Sequence, residues 1–291
     1  MSTDPARGHP AIAAGRTAVI TGGASGIGLA AGERFAALGM NVVLADLAST
    51  PLNYAAAAVQ KAATGGAQVE AIATDVSDYG QVEALRDAAF KRFGDVAVLM
   101  NNAGVGRGGH AYENLDGWRR VLAVNLMGVL HGTQAFTQGM LDQGRPAAIV
   151  NTGSKQGITM PPGDTAYNVS KAGIKALTEG LQHTLRNAPG GQVSAHLLVP
   201  GFTFTGMTRP GGGDKPAGAW TPAQVVDFML ERMGAGDFYI ICPDNDVSRE
   251  VDNARMTWTM QDITRNRPPL SRWHPDYADA FAAFLKEETG G

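Results

Sequence analysis

From residue 17 onward, apolar runs of strand length alternate with longer stretches of helical periodicity, and this alternation restricts the fold more than any other feature. A strand–helix–strand order calls for parallel strands whose crossover helices cover both faces of a sheet. The pattern predicts strands at Thr17–Thr21, Asn41–Ala45, Val69–Ala73, Val96–Met100, Ala147–Thr152, Val193–Val199 and Phe238–Cys242. Between them it predicts helices at Ile27–Leu38, Leu52–Ala63, Gln81–Phe93 and Thr165–Arg186, helical material over Leu115–Met140, and a further helix at Pro222–Met233. The reading is α/β: a three-layer, Rossmann-like, doubly wound parallel sheet of about seven strands, in a single domain spanning 16–243.

Composition supports one large domain. The chain has 291 residues, 44% of them hydrophobic, enough for a sizeable core. A net charge of −3 without a long basic run argues against a nucleic-acid partner. No apolar stretch approaches the ~20 residues that would cross a bilayer, so no membrane partner is expected. The one cysteine, Cys242, precludes an internal disulfide and fits a reducing cytoplasm. The six histidines (9, 110, 131, 183, 196 and 274) show no metal-ligand spacing, so no metal is predicted. Residues 1–15 read as a mobile leader without a secretion-signal layout. After Pro200, residues 201–221 are rich in glycine, proline and threonine, a loop long enough to act as a lid over a substrate. In the tail from 244 to 291, Val247, Val251, Ala254 and Trp258 recur at helical spacing, which predicts a helical extension packed on the same domain.

Three local patterns carry chemistry. The turn Thr21-Gly22-Gly23-Ala24-Ser25-Gly26-Ile27-Gly28 joins the first strand to the first helix. Glycines there let the backbone approach a pyrophosphate, whose charge the helix N-terminus meets. Asp46 closes the second strand, eighteen residues past Gly28, where a carboxylate would accept hydrogen bonds from adenosine ribose hydroxyls. It would also repel a 2′-phosphate, and neither Ala24 nor Leu47 offers a cation, so the reading is NAD rather than NADP. Tyr167 and Lys171 lie four apart and stack on one helix face, with Ser154 thirteen residues earlier. An ammonium beside a phenol favours the phenolate, bringing a group that titrates near pH ~10 toward neutrality.

Taken in order, TGGASGIG at 21–28, Asp75-Val76, NNAG at 101–104, Asn125, Ser154, YNVSK at 167–171 and PGFTFT at 200–205 resemble the short-chain dehydrogenase/reductases of the branch called classical. The likeness spans nearly all of residues 17–205. It implies an NAD(P)-dependent oxidoreductase acting on CH–OH groups. By that resemblance the cofactor contacts come from Gly22, Ser25, Gly26, Ile27, Gly28, Asp46, Asp75, Val76, Asn101, Ala103, Gly104, Tyr167, Lys171, Pro200, Gly201, Thr203 and Thr205. Asp75 would bond the adenine amino group, and Asn101 with Gly104 would shape the turn beneath the adenosine ribose. Thr203 stands where the family usually has valine or isoleucine, a departure that a backbone contact should survive. The tail departs further, since such chains typically end soon after the last strand. Phe238-Tyr239-Ile240-Ile241 followed by a long helix resembles a sub-branch that includes dehydrogenases of lignin-derived aryl alcohols.

The resemblance also implies a mechanism. Tyr167 acts as general acid/base, Lys171 lowers its pKa and holds the nicotinamide ribose, Ser154 donates to the developing alkoxide, and Asn125 holds a water that connects Lys171 to solvent. Hydride passes between the substrate carbon and nicotinamide C4. Lys155, next to Ser154, should point to the opposite face and is read as structural. Gly106, Gln156, Ile158, Met160, Phe202, Phe204 and Met207 are the expected pocket lining, and their apolar character suggests an uncharged, hydrophobic secondary alcohol or ketone. Arg107, Arg209 and Lys215 read as solvated charges rather than a site for an acidic substrate. An aryl-carbinol dehydrogenase is the alternative within the same chemistry. From another class, a non-catalytic NAD-binding sensor or scaffold, or a structural assembly protein, would have no need of the acid/base set. Family habit implies a homo-oligomer, a dimer or a tetramer.

Overall fold

The structure, a computed structural model, describes residues 8–49, 51–208, 211 and 213–290. Seven strands form it: β1 (Thr17–Thr21), β2 (Asn41–Asp46), β3 (Val69–Ala73), β4 (Val98–Asn101), β5 (Ala147–Thr152), β6 (Val193–Val199) and β7 (Tyr239–Ile241). All pair in parallel, in the order β3-β2-β1-β4-β5-β6-β7. Parallel strands need long crossovers, and helices supply them. These are α1 (Gly26–Ala37), α2 (Leu52–Ala62), α3 (Tyr79–Phe93), α4 (Leu115–Val121), α5 (Gly128–Asp142), α6 (Gln156–Thr159), α7 (Thr165–Arg186) and α8 (Pro222–Gly234).

Alternate strand residues face opposite helical layers. Ile20, Leu44, Met100 and Val150 pack with Phe35 of α1, Val59 of α2 and Met229 of α8. Val19, Val43, Leu99 and Ile149 pack on the other side with Leu85 of α3, Phe136 of α5 and Leu185 of α7. The result is the three-layer, doubly wound single domain that the alternation predicts. The strand order reverses between β1 and β4, so a crevice opens there at the carboxyl ends, the position where such sheets take ligands.

Most helix ends and the ends of β2, β4 and β7 shift by a residue or two from the sequence pattern, while β1, β3, β5, β6 and α7 match it. Two features escape periodicity. The helical material after Leu115 is not uniform: Leu122–Met127 forms a π-helical segment between α4 and α5, and Asn125 sits within it. The four-residue α6 is too short to show a helical period.

The tail folds as α9 (Arg249–Thr264), two 3₁₀ turns (Ser271–Trp273 and Pro275–Tyr277) and α10 (Ala278–Thr289). Trp258 anchors it, with its ring against those of Phe281 and Phe284 and its Nε1 donating to Ser271 Oγ at 2.8 Å. The Arg267 guanidinium covers the same ring at 3.8 Å and pairs with Asp262. At the other end of the chain, residues 8–15 are not the loose leader expected of them. Ala11 is fully buried, and the His9 ring packs edge-on to His196 because its Nε2 finds Ser194 Oγ at 3.2 Å. The first seven residues of that expected leader lie outside the described ones.

Candidate active site

The glycine turn is built by close approach of backbone to backbone. Gly22 has φ +67°, and a Cβ there would stand 2.8 Å from Ala103 Cα. At Gly28 a Cβ would lie 2.2 Å from the Gly22 carbonyl oxygen. Ser25 precedes α1 in extended conformation, and its hydroxyl makes no capping bond to the helix. The first amides of α1 are therefore free to meet an anion, and the turn leaves the space a pyrophosphate needs. Thr205 closes over it, since a Cβ on Gly26 would reach Thr205 Cγ2 at 3.3 Å.

Asp46 ends β2 at the same turn. One carboxylate oxygen accepts from the Ala24 amide at 2.9 Å and the other from the Leu47 amide at 2.8 Å. Each oxygen retains a lone pair for a further donor. Asp75 accepts from Ser77 through both its amide and its hydroxyl, at 2.9 and 2.7 Å, and Val76 is buried against Gly128.

The two asparagines of Asn101-Asn102-Ala103-Gly104 divide differently from the expectation. Asn101 faces away from the turn: it is 2% exposed, donates to Asn151 Oδ1 at 2.8 Å, and has its own Oδ1 pressed against Gly132 of α5. Strand alternation sends the next residue the opposite way. Asn102 is the one tied to the turn, through its Nδ2 to the Thr21 carbonyl at 3.2 Å and its amide to Thr21 Oγ1 at 3.0 Å. Its Oδ1 accepts from Thr152 Oγ1, joining β4 to β5 at their ends.

Those ends carry the polar cluster. Ser154 follows β5, and its Oγ accepts from the Gln156 amide at 3.1 Å, which fixes the turn into α6. Its hydroxyl lies beside the phenol of Tyr167, close enough to act on its ionisation. Lys171, one turn along α7, is buried and donates from Nζ to the Thr152 carbonyl at 2.8 Å, with Nζ 5.6 Å from the Tyr167 ring centre. Asn125 is fully buried. Its Nδ2 donates to the Val105 carbonyl and to Ser170 Oγ, and its Oδ1 accepts from the Val105 amide at 2.8 Å. A point one methyl off Gly104 lies 3.4 Å from Asn125 Oδ1, 3.7 Å from Met207 Cε and 3.8 Å from Lys171 Nζ. The π-helical segment, a feature that often marks functional sites, is what sets Asn125 at this depth.

The electrostatics differ from the sequence reading in one respect. Tyr167 stands above the ordinary tyrosine pKa, because burial outweighs its hydrogen bond to Ser154 and the Asp164 carboxylate adds to the rise. Burial also pushes Lys171 down to about 8. The expected lowering of Tyr167 by the Lys171 charge is therefore not what dominates in the chain alone.

Asp164 was not singled out in the sequence, although an aspartate three residues ahead of Tyr167 is an N-cap signal. It caps α7 by accepting from the Tyr167 amide, and it also collects the amides of Arg107, Gly108 and Gly109 at 2.7–3.1 Å. Arg107 adopts φ +64° to make this possible. One carboxylate thus locks the 105–109 loop, including Gly106, to the helix that carries Tyr167.

The described residues at the two ends of the 201–221 loop are tied to each other. Thr203 pairs with Trp220 in a short bridge, flanked by bonds from the Phe204 amide to the Trp220 carbonyl and from the Trp220 amide to the Phe202 carbonyl. Lys215 turns back to donate to the Ala219 carbonyl at 2.7 Å, so it is a staple of the loop rather than a solvated charge. Arg209 lies outside the described residues. Pro200 and Gly201 lead into the loop beside Asp244, whose Oδ2 accepts from the Phe202 amide at 3.1 Å.

The expected pocket residues do not converge. Met207 reaches the catalytic cluster through its contact near Gly104. Phe202, Met160 and Gln156 are exposed around the mouth. Phe204 instead borders a cavity of about 550 Å³ beside α1, together with Gly26, Leu29, Thr205 and Pro222, which Ser154, Tyr167 and Lys171 do not line. Ile158 turns into the core against Val129, Ile174 and Met256 of α9, because α6 rotates it away from the cleft. Lys155 is structural, as its position suggested, but it gets there as the first residue of a helical turn rather than by strand alternation.

A Rossmann-type sheet with a glycine turn at its switch point and a Ser–Tyr–Lys–Asn cluster at the same edge defines a dinucleotide-dependent oxidoreductase. Residues 16–215 match the family model of the short chain dehydrogenases. The chain belongs to the short-chain dehydrogenase/reductase family, in its classical branch, and it is an NAD(P)-dependent oxidoreductase acting on CH–OH groups. It is 34% identical over 267 residues to a 1-deoxy-11-beta-hydroxypentalenate dehydrogenase of Streptomyces exfoliatus, covering 89% of this chain and 94% of that one. It is 33% identical to 3beta-hydroxysteroid dehydrogenase 2 of Eggerthella lenta, covering 69% of this chain and 78% of the relative. Among solved structures, a short-chain dehydrogenase/reductase from Burkholderia phymatum in complex with NAD superposes with a TM-score of 0.78 at 37% identity, over 88% of this chain and 96% of that one.

Proposed function

We propose that the protein interconverts a secondary alcohol and a ketone with NAD as the hydride partner, and that Tyr167 exchanges the proton. The observation that carries this reading is the meeting of Lys171 and Asn125 around the space next to Gly104, with Tyr167 beside Lys171 and Ser154 beside Tyr167. In the direction of ketone reduction, the Tyr167 hydroxyl gives its proton to the substrate oxygen, which Ser154 holds by a hydrogen bond as charge develops. A phenol above its ordinary pKa is kept protonated for that step. In the direction of oxidation, the nearby Lys171 stabilises the phenolate that must form, and Asn125 secures the backbone at Val105 beside the cluster. The nicotinamide, when bound, supplies hydride chemistry. Pro200, Gly201, Thr203 and Thr205 would hold its carboxamide end, and Asp75 with Val76 would take the adenine.

Asp46 supports NAD over NADP, because its carboxylate occupies the edge of the turn where a 2′-phosphate would lie. Met207 and Phe202 near the mouth support an uncharged, hydrophobic substrate, in keeping with the hydroxysteroid named for one relative. A sensor or scaffold that binds NAD without turnover would not need the acid/base set. We further infer a homo-oligomer, a dimer or tetramer, working in the cytoplasm. Among the described residues no helix is long and apolar enough to cross a membrane.

The test is turnover of a panel of steroid, cyclic, aryl and sugar alcohols and ketones, followed by NADH absorbance with NAD and NADP in parallel. Tyr167→Phe should lower kcat by about 10²–10⁴ while leaving NAD affinity nearly unchanged. Equal turnover by wild type and Tyr167→Phe would overturn the assignment, and a preference for NADP would overturn the role of Asp46.

A further inference from the structure

The tail meets the catalytic end of the sheet at a seam of charges. Lys155, the residue after Ser154, places its Nζ 2.6 Å from Asp252 Oδ2 of α9 and 3.4 Å from Asp244 Oδ2. Behind this pair lies a cavity of about 60 Å³, bordered by Lys155, Thr159, Asp252, Arg255 and Arg272 with apolar walls. That is room for one small ion or a few waters.

Its charges do not balance. Three cations face one lining carboxylate, and that carboxylate is already committed to Lys155. The other ion pairs nearby go from Lys155 to Asp244 and from Arg267 to Asp262, and neither relieves the two arginines. Arg255 Nε is buried with no hydrogen-bond partner. Arg272 lies against the rings of Trp273 and Phe281, and burial and the repulsion of Arg255 outweigh the pull of Asp252 and push it down to about 10. A guanidinium does not shed its proton near neutral pH, so the cost of two crowded, half-buried cations is not relieved by deprotonation. A negative ligand would relieve it, and a guanidinium fork is shaped for a carboxylate.

We propose that this cavity is a binding site for one small monovalent anion, a halide or a short carboxylate, held by Arg255 and Arg272 at the seam between Lys155 and the C-terminal helices. It is separate from the cofactor turn and does not depend on which alcohol the enzyme takes. Occupancy ties α9 and the 3₁₀ turn at Ser271–Trp273 to the segment that carries Ser154.

The full-length protein tests this in thermal unfolding, with sodium chloride or sodium formate against sodium gluconate at equal ionic strength. Gluconate is too large for the cavity. Chloride and formate should raise Tm saturably over gluconate, by roughly 2–4 °C. Arg255→Gln and Arg272→Gln should lose the saturable rise, while Arg249→Gln, exposed on the same helix, should keep it. Equal responses to all three salts, or an undiminished rise in both cavity variants, would overturn the proposal. Should the cavity variants fail to fold, bromide-soaked wild-type crystals give an independent reading. An anomalous peak between Arg255 and Arg272 supports the site, and bromide found only elsewhere overturns it.

Discussion

The glycine turn and the seam beneath the tail both fix the catalytic edge of the sheet, but by opposite means. At the turn, backbone meets backbone: Gly22 and Gly28 exist so that Ala103 and a carbonyl oxygen can come within what would otherwise be a clash. At the seam, long side chains from distant parts of the chain converge, with Lys155 reaching Asp244 and Asp252 across roughly a third of the sequence. A backbone device tolerates no added atom and leaves a signature in a few consecutive residues. A side-chain device can be weakened by degrees and is spread over positions that have nothing in common until the chain folds. The first is a matter of sterics, the second of charges held out of water.

The contrast is sharpest if the turn is filled. Gly28→Ala introduces a Cβ 2.2 Å from the Gly22 carbonyl, where neither partner is a flexible side chain. The turn must open to accept it, and a displacement of about 1 Å at such a site can cost on the order of 10²-fold. We expect NAD affinity to fall at least that far, measured by tryptophan quenching or calorimetry, with the far-ultraviolet circular dichroism unchanged. Retention of affinity within threefold would show that the turn is less tightly determined than its backbone contacts indicate.

The seam should fail more gently and in a different quantity. Lys155→Met keeps the length of the side chain but leaves Asp244 and Asp252, both nearly buried, facing each other without their cation. Removing one partner of a buried pair costs about 3–5 kcal/mol, and the partial exposure of Lys155 puts the expected loss near the lower end. Denaturant unfolding should show it. NAD affinity should fall far less than in Gly28→Ala, because the seam borders only Gly201 at the carboxamide end and not the glycine turn, while kcat should fall as the Ser154 turn loosens. A variant as stable as wild type, or one that lost NAD binding first, would erase the distinction between the two devices.

The same distinction explains what the sequence made readable. The strand-helix alternation and the glycine turn are local, so their periods and spacings are visible in consecutive residues, and the seven-stranded sheet follows from them. Tyr167 and Lys171 are legible together because helix geometry brings residues four apart onto one face, whereas Ser154, thirteen residues before Tyr167 and off that helix, takes its role from the family resemblance. Asn101 was misplaced in favour of its neighbour Asn102, since which of two adjacent residues faces the turn depends on strand register. Ile158 was misread because a four-residue helix has no period to reveal its inward face. Lys155, Asp244, Asp252 and Arg272 were invisible as a group, because nothing along the chain links residues after β7 to one after β5.

A third region, at the amino end of β6, supplies the smallest and most separable effect. His9 and His196 meet there through Ser194, with His196 Nδ1 on the Asp237 carbonyl at 2.7 Å. Burial pushes His9 down from its ordinary 6.5 to about 4, with the nearby His196 adding to the drop. His196 is lowered as well, again mainly by burial, although its bond to the Asp237 carbonyl opposes the shift. A group whose folded pKa is depressed binds its proton more readily when unfolded. Its contribution is therefore complete above pH 6.5 and is lost as the pH falls from there toward 4, below which both states are protonated and the loss levels off. Between pH 7 and 5 the His9 shift should cost about 1–2 kcal/mol of stability. His9→Gln keeps a polar side chain but no titrating group, so its unfolding free energy should decline less over that interval than the wild type's. NAD affinity and kcat at pH 7 should not move, since neither the turn nor the seam touches this end of the sheet. Parallel pH profiles for His9→Gln and wild type would mean that the packing of residues 8–15 does not couple to protonation at all.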